Sequence, residues 1–510
     1  MINRILIILL IYSGQVVLFA QYSGSLQTSY QYGNLPEIKP YDRTNLYSQL
    51  NLQCNQTNLD IGLRLESFGT SSGEEYGYLS QKYIMYQNEN LQVTVGNIYE
   101  ILGRGILLRG YEIPGSVYED YGSRQRYAFY KDIEGFSINY VNDYFQTKLL
   151  YGRILDNLLP PLLDKNDQNR RRPVLIEGAE INYVSFTFLQ PGILLLRTDG
   201  FGNTNRYAGF NFQGYSQNGL QYYAEYSRNI NPLIETGQTG SNDPYGLYSS
   251  LSYSTAFVST TLEIKDYHKY SLGINDPPPL VREHSFSLLN RATHTIEPSG
   301  EKGYQLETLI NTGDLNTLTF NHSASKINLF EQEYDYYEYY ADVNYYADDD
   351  RLTKLYVDFA KDEFKQEEDR FTTGVFTQDL LTGPWSYSAE MQYQHFTRNF
   401  KLSAVPSQKV KNILFSGAIN HSPGFSFSLF LEWVDDISEG NYRNGTQISG
   451  IFKDGLDVDF FGMNISYIYN QTNTFALFYG ERRGGNACSG GVCYQVQPFS
   501  GFEFKLTSNF

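Results

Sequence analysis

The sequence predicts an all-β chain: a transmembrane antiparallel β-barrel of about 24 strands (roughly 20–26), with two long loops folded into the lumen. Three observations predict it. Short segments alternate apolar and polar residues from about Ser23 to Phe510. The connections between them alternate short and long. The chain opens on a segment that reads as an export signal.

The export signal comes first because it sets the compartment. Arg4 supplies a positive start, Ile5 to Ile11 is an unbroken apolar run, and Leu18-Phe19-Ala20 ends on the small residue that cleavage requires. Ser13, Gly14 and Gln15 interrupt the apolar stretch, which falls short of the roughly 20 residues of a spanning helix. Residues 1–20 are expected to be removed after export by the secretory pathway. Residues 21–510 are then expected to form one barrel in a Gram-negative outer membrane.

Composition fits that reading. The mean hydropathy is that of a water-soluble protein, but barrel strands alternate lipid-facing and lumen-facing residues and average out. Among 510 residues there are 46 Tyr and 33 Phe against 2 Trp and 3 Cys. Tyr suits both strands and the membrane–water boundary. No linker or composition break divides the chain. A net charge of -17 argues against nucleic acid as a partner.

The last segment carries the clearest strand signal. Phe502, Phe504, Leu506 and Phe510 fall on one face, and Gly501, Glu503, Lys505 and Thr507 on the other. Ending on an aromatic residue resembles the C-terminal signal by which the assembly machinery recognises outer-membrane barrels. Leu59, Ile61, Leu63 and Leu65 alternate with Asp60, Gly62, Arg64 and Glu66 in the same way. Trp385–Arg398 is long enough to cross a bilayer obliquely.

Connections give an independent test, because bacterial barrels alternate short periplasmic turns with longer outer loops. Tight turns are expected at Gln471-Thr472, His421–Pro423, Leu381–Gly383, Asp348–Asp350, Gly313-Asp314, Thr255-Ala256, Asn218-Gly219, Gln190-Pro191, Asn142-Asp143, Asn88–Asn90 and Gln56-Thr57. Longer connections lie between them, including Leu155–Pro173, Asn229–Asp243, Asp362–Asp369, Thr397–Ser407, Asp436–Gly455 and Arg483–Pro498. The alternation survives only if His284–Leu289 is not a membrane strand.

Two connections are too long and too apolar for plain surface loops. They are Ile98–Asp132 and Lys269–Lys302. Ile101, Leu102, Ile106, Leu107 and Leu108 in the first, and Leu280, Leu288 and Leu289 in the second, need burial. Both segments are expected to turn into the lumen, either narrowing it functionally or forming a hydrogen-bonded structural plug. Arg104, Arg109, Glu112, Arg124, Arg126, Arg282, Glu283, His284, Arg291 and His294 are then the candidate lumen groups. The two segments are expected to meet through an Arg–Glu contact, with Glu283 or the pair Glu112–Arg282 taking part.

Cys488 and Cys493 flank Ser489-Gly490-Gly491-Val492 in the last outer loop. In an exported protein the pair is expected to form a structural disulfide, with the two glycines allowing a tight reversal. Two thiolates without nearby His make a poor zinc site. Cys54 is left without a role. No metal or other cofactor is indicated.

Three stretches carry a family resemblance: V-G-N-I-Y-E-I-L-G-R-G from Val95, P-P-P-L-V-R-E-H-S-F-S-L-L-N-R-A-T-H from Pro277, and F-Y-G-E-R-R-G-G-N-A-C-S-G-G-V-C from Phe478. Together they resemble an uncharacterised family of Bacteroidetes-type outer-membrane barrels. The resemblance implies a barrel in the outer membrane and supplies no substrate and no catalytic residue.

Function is less legible. Asn321-His322-Ser323 and Asn420-His421-Ser422 hold the residue types of an esterase triad, but neighbours on a strand face opposite ways. His322 shares its face with Leu318 and Phe320 and is expected on the lipid side near a turn. A lipid hydrolase is therefore the remote reading, and no enzyme is expected. The acidic runs Asp348–Asp350 and Asp435-Asp436 read as solvated turns. The main readings are a porin-like or gated channel constricted by the two loops, and a non-conducting scaffold for surface assembly or secretion. Expected partners are outer-membrane lipid, lipopolysaccharide and the barrel-assembly machinery, with room for a surface or periplasmic protein.

Overall fold

The computed structural model describes residues 21–36, 38–165, 170–236, 243–279, 281–295, 299–313, 315–329, 332–347, 350–399, 406–436 and 458–510. The export segment 1–20, Leu280, Asp314, Asp348 and most of the loop from Asp436 to Gly455 lie outside the described residues.

Twenty-four strands form one antiparallel sheet that closes on itself. The first, Gln21–Asn34, pairs with the second, Thr44–Gln56, and also with the last, Phe499–Asn509. The seam extends beyond the last strand, where Gly24 and Phe510 exchange backbone hydrogen bonds of 2.7 and 2.9 Å. Every other barrel strand pairs with the strands before and after it around the ring. Strands run from 8 residues at Leu91–Ile98 to 15 at Gln332–Tyr346. Most reach the roughly 9–11 residues that a tilted strand needs to span a bilayer. Closure leaves no unpaired sheet edge, which is what hydrocarbon demands of a backbone.

Outward side chains make an apolar belt. Leu63, Leu195, Phe210, Phe320, Leu355 and Met391 are 43–53 % exposed, each at mid-strand. A belt around the whole circumference far exceeds the few hundred Å² of apolar patch that a water-facing surface carries. At the short-turn end, Phe145, Tyr183, Phe186 and Phe188 form a chain of ring contacts 5.5–5.7 Å apart. Such girdles mark the membrane–water boundary of barrels.

Among the described residues the tight turns fall where the sequence places them with one difference, and one longer connection also differs. Gln190 and Pro191 begin the strand Gln190–Gly200, so the reversal lies at 184–189. Gly192 and the apolar run Ile193–Leu196 continue in extended form. Pro191 needs no donor at the start of a strand, which is why it misled as a turn signal. The connection after Asp362 is shorter than expected, because the next strand starts at Glu367. His284–Leu289 is not a membrane strand: Ser287–Ala292 is a short helix between the strands Val258–His268 and Glu301–Gly313.

The two long connections carry their own structure. Residues 99–132 fold as two small hairpins, Ile101–Leu102 with Leu108–Arg109 and Tyr111–Glu119 with Arg126–Lys131. They are called the first insertion, and residues 269–300 the second. A third element sits in the last outer connection, the hairpin Gly485–Ser489 with Val492–Val496. Gly490 (φ 59°) and Gly491 (φ 75°) form its two-residue turn, a left-handed conformation that glycine adopts without steric cost. Cys488 and Cys493 are direct partners in its ladder and are joined by a disulfide with Cα atoms 4.0 Å apart.

Candidate functional site

The first insertion is anchored by apolar burial. Leu102, Ile106, Leu107 and Leu108 have 0 % exposure and pack with the inward residues Leu150, Ile176, Leu194 and Leu196. Each such burial contributes about 1.5–3 kcal/mol. Ile101 departs from the expectation: it is 38 % exposed, because neighbours on a strand face opposite ways and Leu102 takes the wall side. An inner wall rich in Leu and Ile is unusual for a barrel, and here it serves as the docking face for this segment.

Polar contacts fix the same insertion to other strands. The backbone N–H of Gly103 donates to Glu180 (3.1 Å) and that of Arg104 to Glu225 (2.8 Å). Glu112 accepts from Arg64 (2.6 Å) and from Tyr99 (2.7 Å). Arg124 pairs with Glu119 and donates to Asn34 at 2.8 Å. Arg126 is buried and reaches Ser29, Asn45 and Glu503, the last at 3.3 Å. Burial lowers the Arg126 pKa, and the Glu503 and Glu119 carboxylates work against that.

The second insertion meets the opposite arc of wall. Arg282 pairs with Glu307 (2.6 Å) and Asp342 (3.4 Å). His284 lies 3.3 Å from Glu338, and Arg291 donates to Glu432 at 2.5 Å. His294 contacts Asp362 (2.8 Å) and Glu301 (3.4 Å) and stacks on Tyr336 with centroids 4.0 Å apart. Burial works against its charged form, but Asp362 and Glu301 outweigh it and lift the His294 pKa to about 9. The short helix buries Leu288 and Leu289, and Leu288 N–H donates to Gln392 (3.0 Å).

The insertions do touch, but not through the expected pair. Among the described residues no Arg–Glu contact joins them. Glu112 is taken by Arg64 and Arg282 by Glu307 and Asp342, both on strands. The joining contacts are Lys131 to Asp276 (2.6 Å) and Asn275 Nδ2 to the Ile106 carbonyl (3.0 Å). Carboxylates on the inward faces of the wall strands took up the arginines instead.

The disulfide hairpin bridges both. Asn290 Nδ2 donates to the Cys488 carbonyl (3.1 Å) and Cys488 N–H to Asn290 Oδ1 (2.9 Å). Gly491 N–H donates to Glu283 (3.2 Å), and Arg109 donates to the Gly490 carbonyl. Phe129 of the first insertion packs on Tyr494 at 4.9 Å. Cys54 is a free, half-buried thiol in a barrel strand.

Several site residues were not visible in the sequence. Arg370 is fully buried, within 3.0–3.4 Å of Glu338, Asp358 and Glu367, and donates to the Ala292 carbonyl at the end of the short helix (3.1 Å). Glu432 holds Arg483 as well as Arg291. Their signal was only inward parity within long strands. Asp436, read as a solvated turn, is buried and paired with Arg398 at 2.5 Å.

A cavity of about 790 Å³ remains between insertions and wall, lined among others by Arg104, Arg109, Lys148, Glu263, Arg282 and Glu307. A smaller cavity of about 290 Å³ includes Tyr111, Lys131, Asp276, His294 and Cys493. Pro279, Val281, Glu283 and Gly491 line both and so partition them. The esterase-like tripeptides assemble no triad. Asn321 and Ser323 are buried inward, while His322, at mid-strand and not near a turn, stacks outward on Tyr339 at 4.2 Å. His421 packs on Trp385. Among the described residues no group of three His, Cys, Asp or Glu could hold a metal ion.

These features define a membrane-type β-barrel with structured insertions. Two stretches, residues 2–113 and 386–510, match a family of unknown function (DUF6029). The segments Val95–Gly105 and Phe478–Cys493 lie within them, while Pro277–His294 lies outside. No curated protein sequence matches the chain. Among solved structures, the P pilus usher (PapC) translocation pore is similar at a TM-score of 0.46 and 10% identity, covering 96% of this chain and 99% of that one. Pseudomonas aeruginosa OccK5 (OpdH) is similar at 0.37 and 12% identity, covering 68% and 94%. Acinetobacter baumannii OccAB3 is similar at 0.37 and 9% identity, covering 68% and 94%.

Proposed function

We propose that the protein is a porin-like channel of the Gram-negative outer membrane, its lumen constricted by the two insertions and the disulfide hairpin. The carrying observation is the polar cavity of about 790 Å³ that the insertions leave against the wall. A purely structural plug would have filled it with packed side chains, as the apolar side of the first insertion is filled. In this reading the short turns face the periplasm and the disulfide hairpin faces outward. Export by the secretory pathway, lipopolysaccharide at the outer leaflet, the assembly machinery as a transient partner, and a Bacteroidetes-type source belong to the same proposal.

The test is single-channel conductance of the purified protein in a planar bilayer. The wild type is expected to conduct, and replacing residues 271–298 by a short linker is expected to raise the conductance. Silence from both, with the barrel folded, would overturn the proposal. One observation favours the alternative of a closed scaffold for surface assembly or secretion: the Arg370 cluster locks the second insertion to the wall by buried ion pairs. A silent wild type with a conducting deletion would favour that reading.

A further inference from the structure

Three cavities inside the barrel stand in line. The outermost, of about 290 Å³, reaches Leu158 in an outer connection and the disulfide hairpin. The middle one, of about 790 Å³, meets it at Pro279, Val281, Glu283 and Gly491. A third, of about 260 Å³, meets the middle one at Gly103, Arg104 and Lys148. Its wall includes Gln146, Asn182 and Gln213, which lie near the short-turn ends of their strands. Together the three trace a route past both insertions, from the outer connections to the short-turn end.

The charges along this route do not balance. At the outer cavity they do: Lys131 is paired with Asp276, and His294 and Lys265 with Asp362 and Glu301. Opposite charges so close together largely cancel at a distance. Around the middle and inner cavities Arg104, Arg109, Lys148 and Arg282 face Glu180, Glu263, Glu283 and Glu307. Lys148 is also paired with Glu100 (3.3 Å) and Arg282 with Asp342 (3.4 Å). Four cations therefore meet six carboxylates, and Glu225, which holds the Arg104 N–H, adds a seventh. The excess is negative with or without Glu225. A cleft lined by an excess of one sign between low-dielectric walls concentrates the opposite ion.

Position singles out one of these carboxylates. Of the four residues shared by the outer and middle cavities, Glu283 alone is charged. It is exposed, accepts the Gly491 N–H (3.2 Å) and, among the described residues, makes no ion pair. The hydrogen bond holds its carboxylate at the tip of the disulfide hairpin, at the partition itself. Arg109 donates to the Gly490 carbonyl of the same turn, while Arg104 lies over the Tyr223 ring at the border with the inner cavity. We propose that the route through the three cavities is cation-selective and that Glu283 is the residue that sets the preference. A carboxylate at a narrow point of a pore attracts cations and repels anions. The proposal deepens the channel reading and rests on it.

The experiment is the reversal potential of the purified full barrel in a planar bilayer under a KCl gradient. The wild type is expected to reverse on the potassium side of zero. Glu283→Gln keeps an oxygen for the Gly491 N–H and removes only the charge, and it is expected to move the reversal potential about halfway to zero. Glu283→Lys is expected to bring it to zero or past it. Glu177→Gln, on the outward face, is expected to leave it unchanged. The migration of unheated barrel on a gel shows that each variant is folded. A conducting wild type that reverses at zero or on the chloride side would overturn the proposal and leave the channel reading standing. So would a folded Glu283→Gln that reverses where the wild type does. A folded wild type that passes no current would overturn both.

Discussion

Asn290 and Cys488 hold each other by two hydrogen bonds, as two strands of a sheet would, although one belongs to the second insertion and the other to the last outer connection. The amide of Asn290 stands in for a backbone peptide unit. The disulfide keeps Cys488 in the hairpin geometry that this exchange needs. Cys488→Ser with Cys493→Ser is expected to speed amide hydrogen exchange in Ser287–Ala292 and to raise channel conductance. Unchanged exchange in that helix would show that the hairpin does not tie it.

Arg370 makes the sharpest prediction about docking. Arg370→Met leaves Glu338, Asp358 and Glu367 buried without their shared cation and removes the donor to the Ala292 carbonyl. Removing one partner of a buried charge pair costs about 3–5 kcal/mol. The second insertion is expected to become protease-sensitive while the barrel stays folded. Full protection of residues 281–295 in the variant would refute the assigned role.

His294 predicts a dependence on pH. Its folded pKa of about 9 lies above the 6.5 of a free histidine. The groups facing it are Asp362, Glu301, Tyr336 and Ser325, with Lys265 bound to Glu301 at 2.7 Å. A raised pKa means that stabilisation is fully present below about pH 6.5 and is lost as the pH rises through about 9. The shift corresponds to about 3 kcal/mol. Protection of residues 287–295 from exchange, corrected for intrinsic rates, is expected to fall between pH 7 and 10 in the wild type. His294→Gln is expected to give low protection that no longer varies over this range.

The two faces of the wall predict an assembly asymmetry. Leu195 points into the apolar belt at mid-strand, and Leu195→Arg is expected to cost about 2–4 kcal/mol. Gln146 lines an inner cavity, and Gln146→Arg is expected to assemble normally. Equal yields of folded barrel from the two would count against the assigned faces.

The barrel and its strand number were legible because period-two alternation and loop alternation are set locally, by which face each side chain must take. Phe502, Phe504 and Leu506 declared their face without any partner. The insertions were legible as segments, since Leu102 and Ile106–Leu108 demand burial wherever they go. Their partners were not. Glu338, Arg370 and Glu432 lie on strands far along the chain, and closure of the ring alone brings them to the insertions. Pairing of Glu112 with Arg64 instead of Arg282 was beyond sequence reasoning for the same reason: choosing among many charges requires the register of the whole sheet. The third element, the Cys488–Cys493 hairpin, was readable as a disulfide but not as a bridge.

That hairpin sits between the last two barrel strands of the chain, Asn473–Arg482 and Phe499–Asn509. The second of these is also the strand that seals the ring against Gln21–Asn34. The seam of the wall and the common tie of both insertions therefore share one flank. A barrel whose seam is unpaired at Phe499–Asn509 would be open at its side and loose within at the same time.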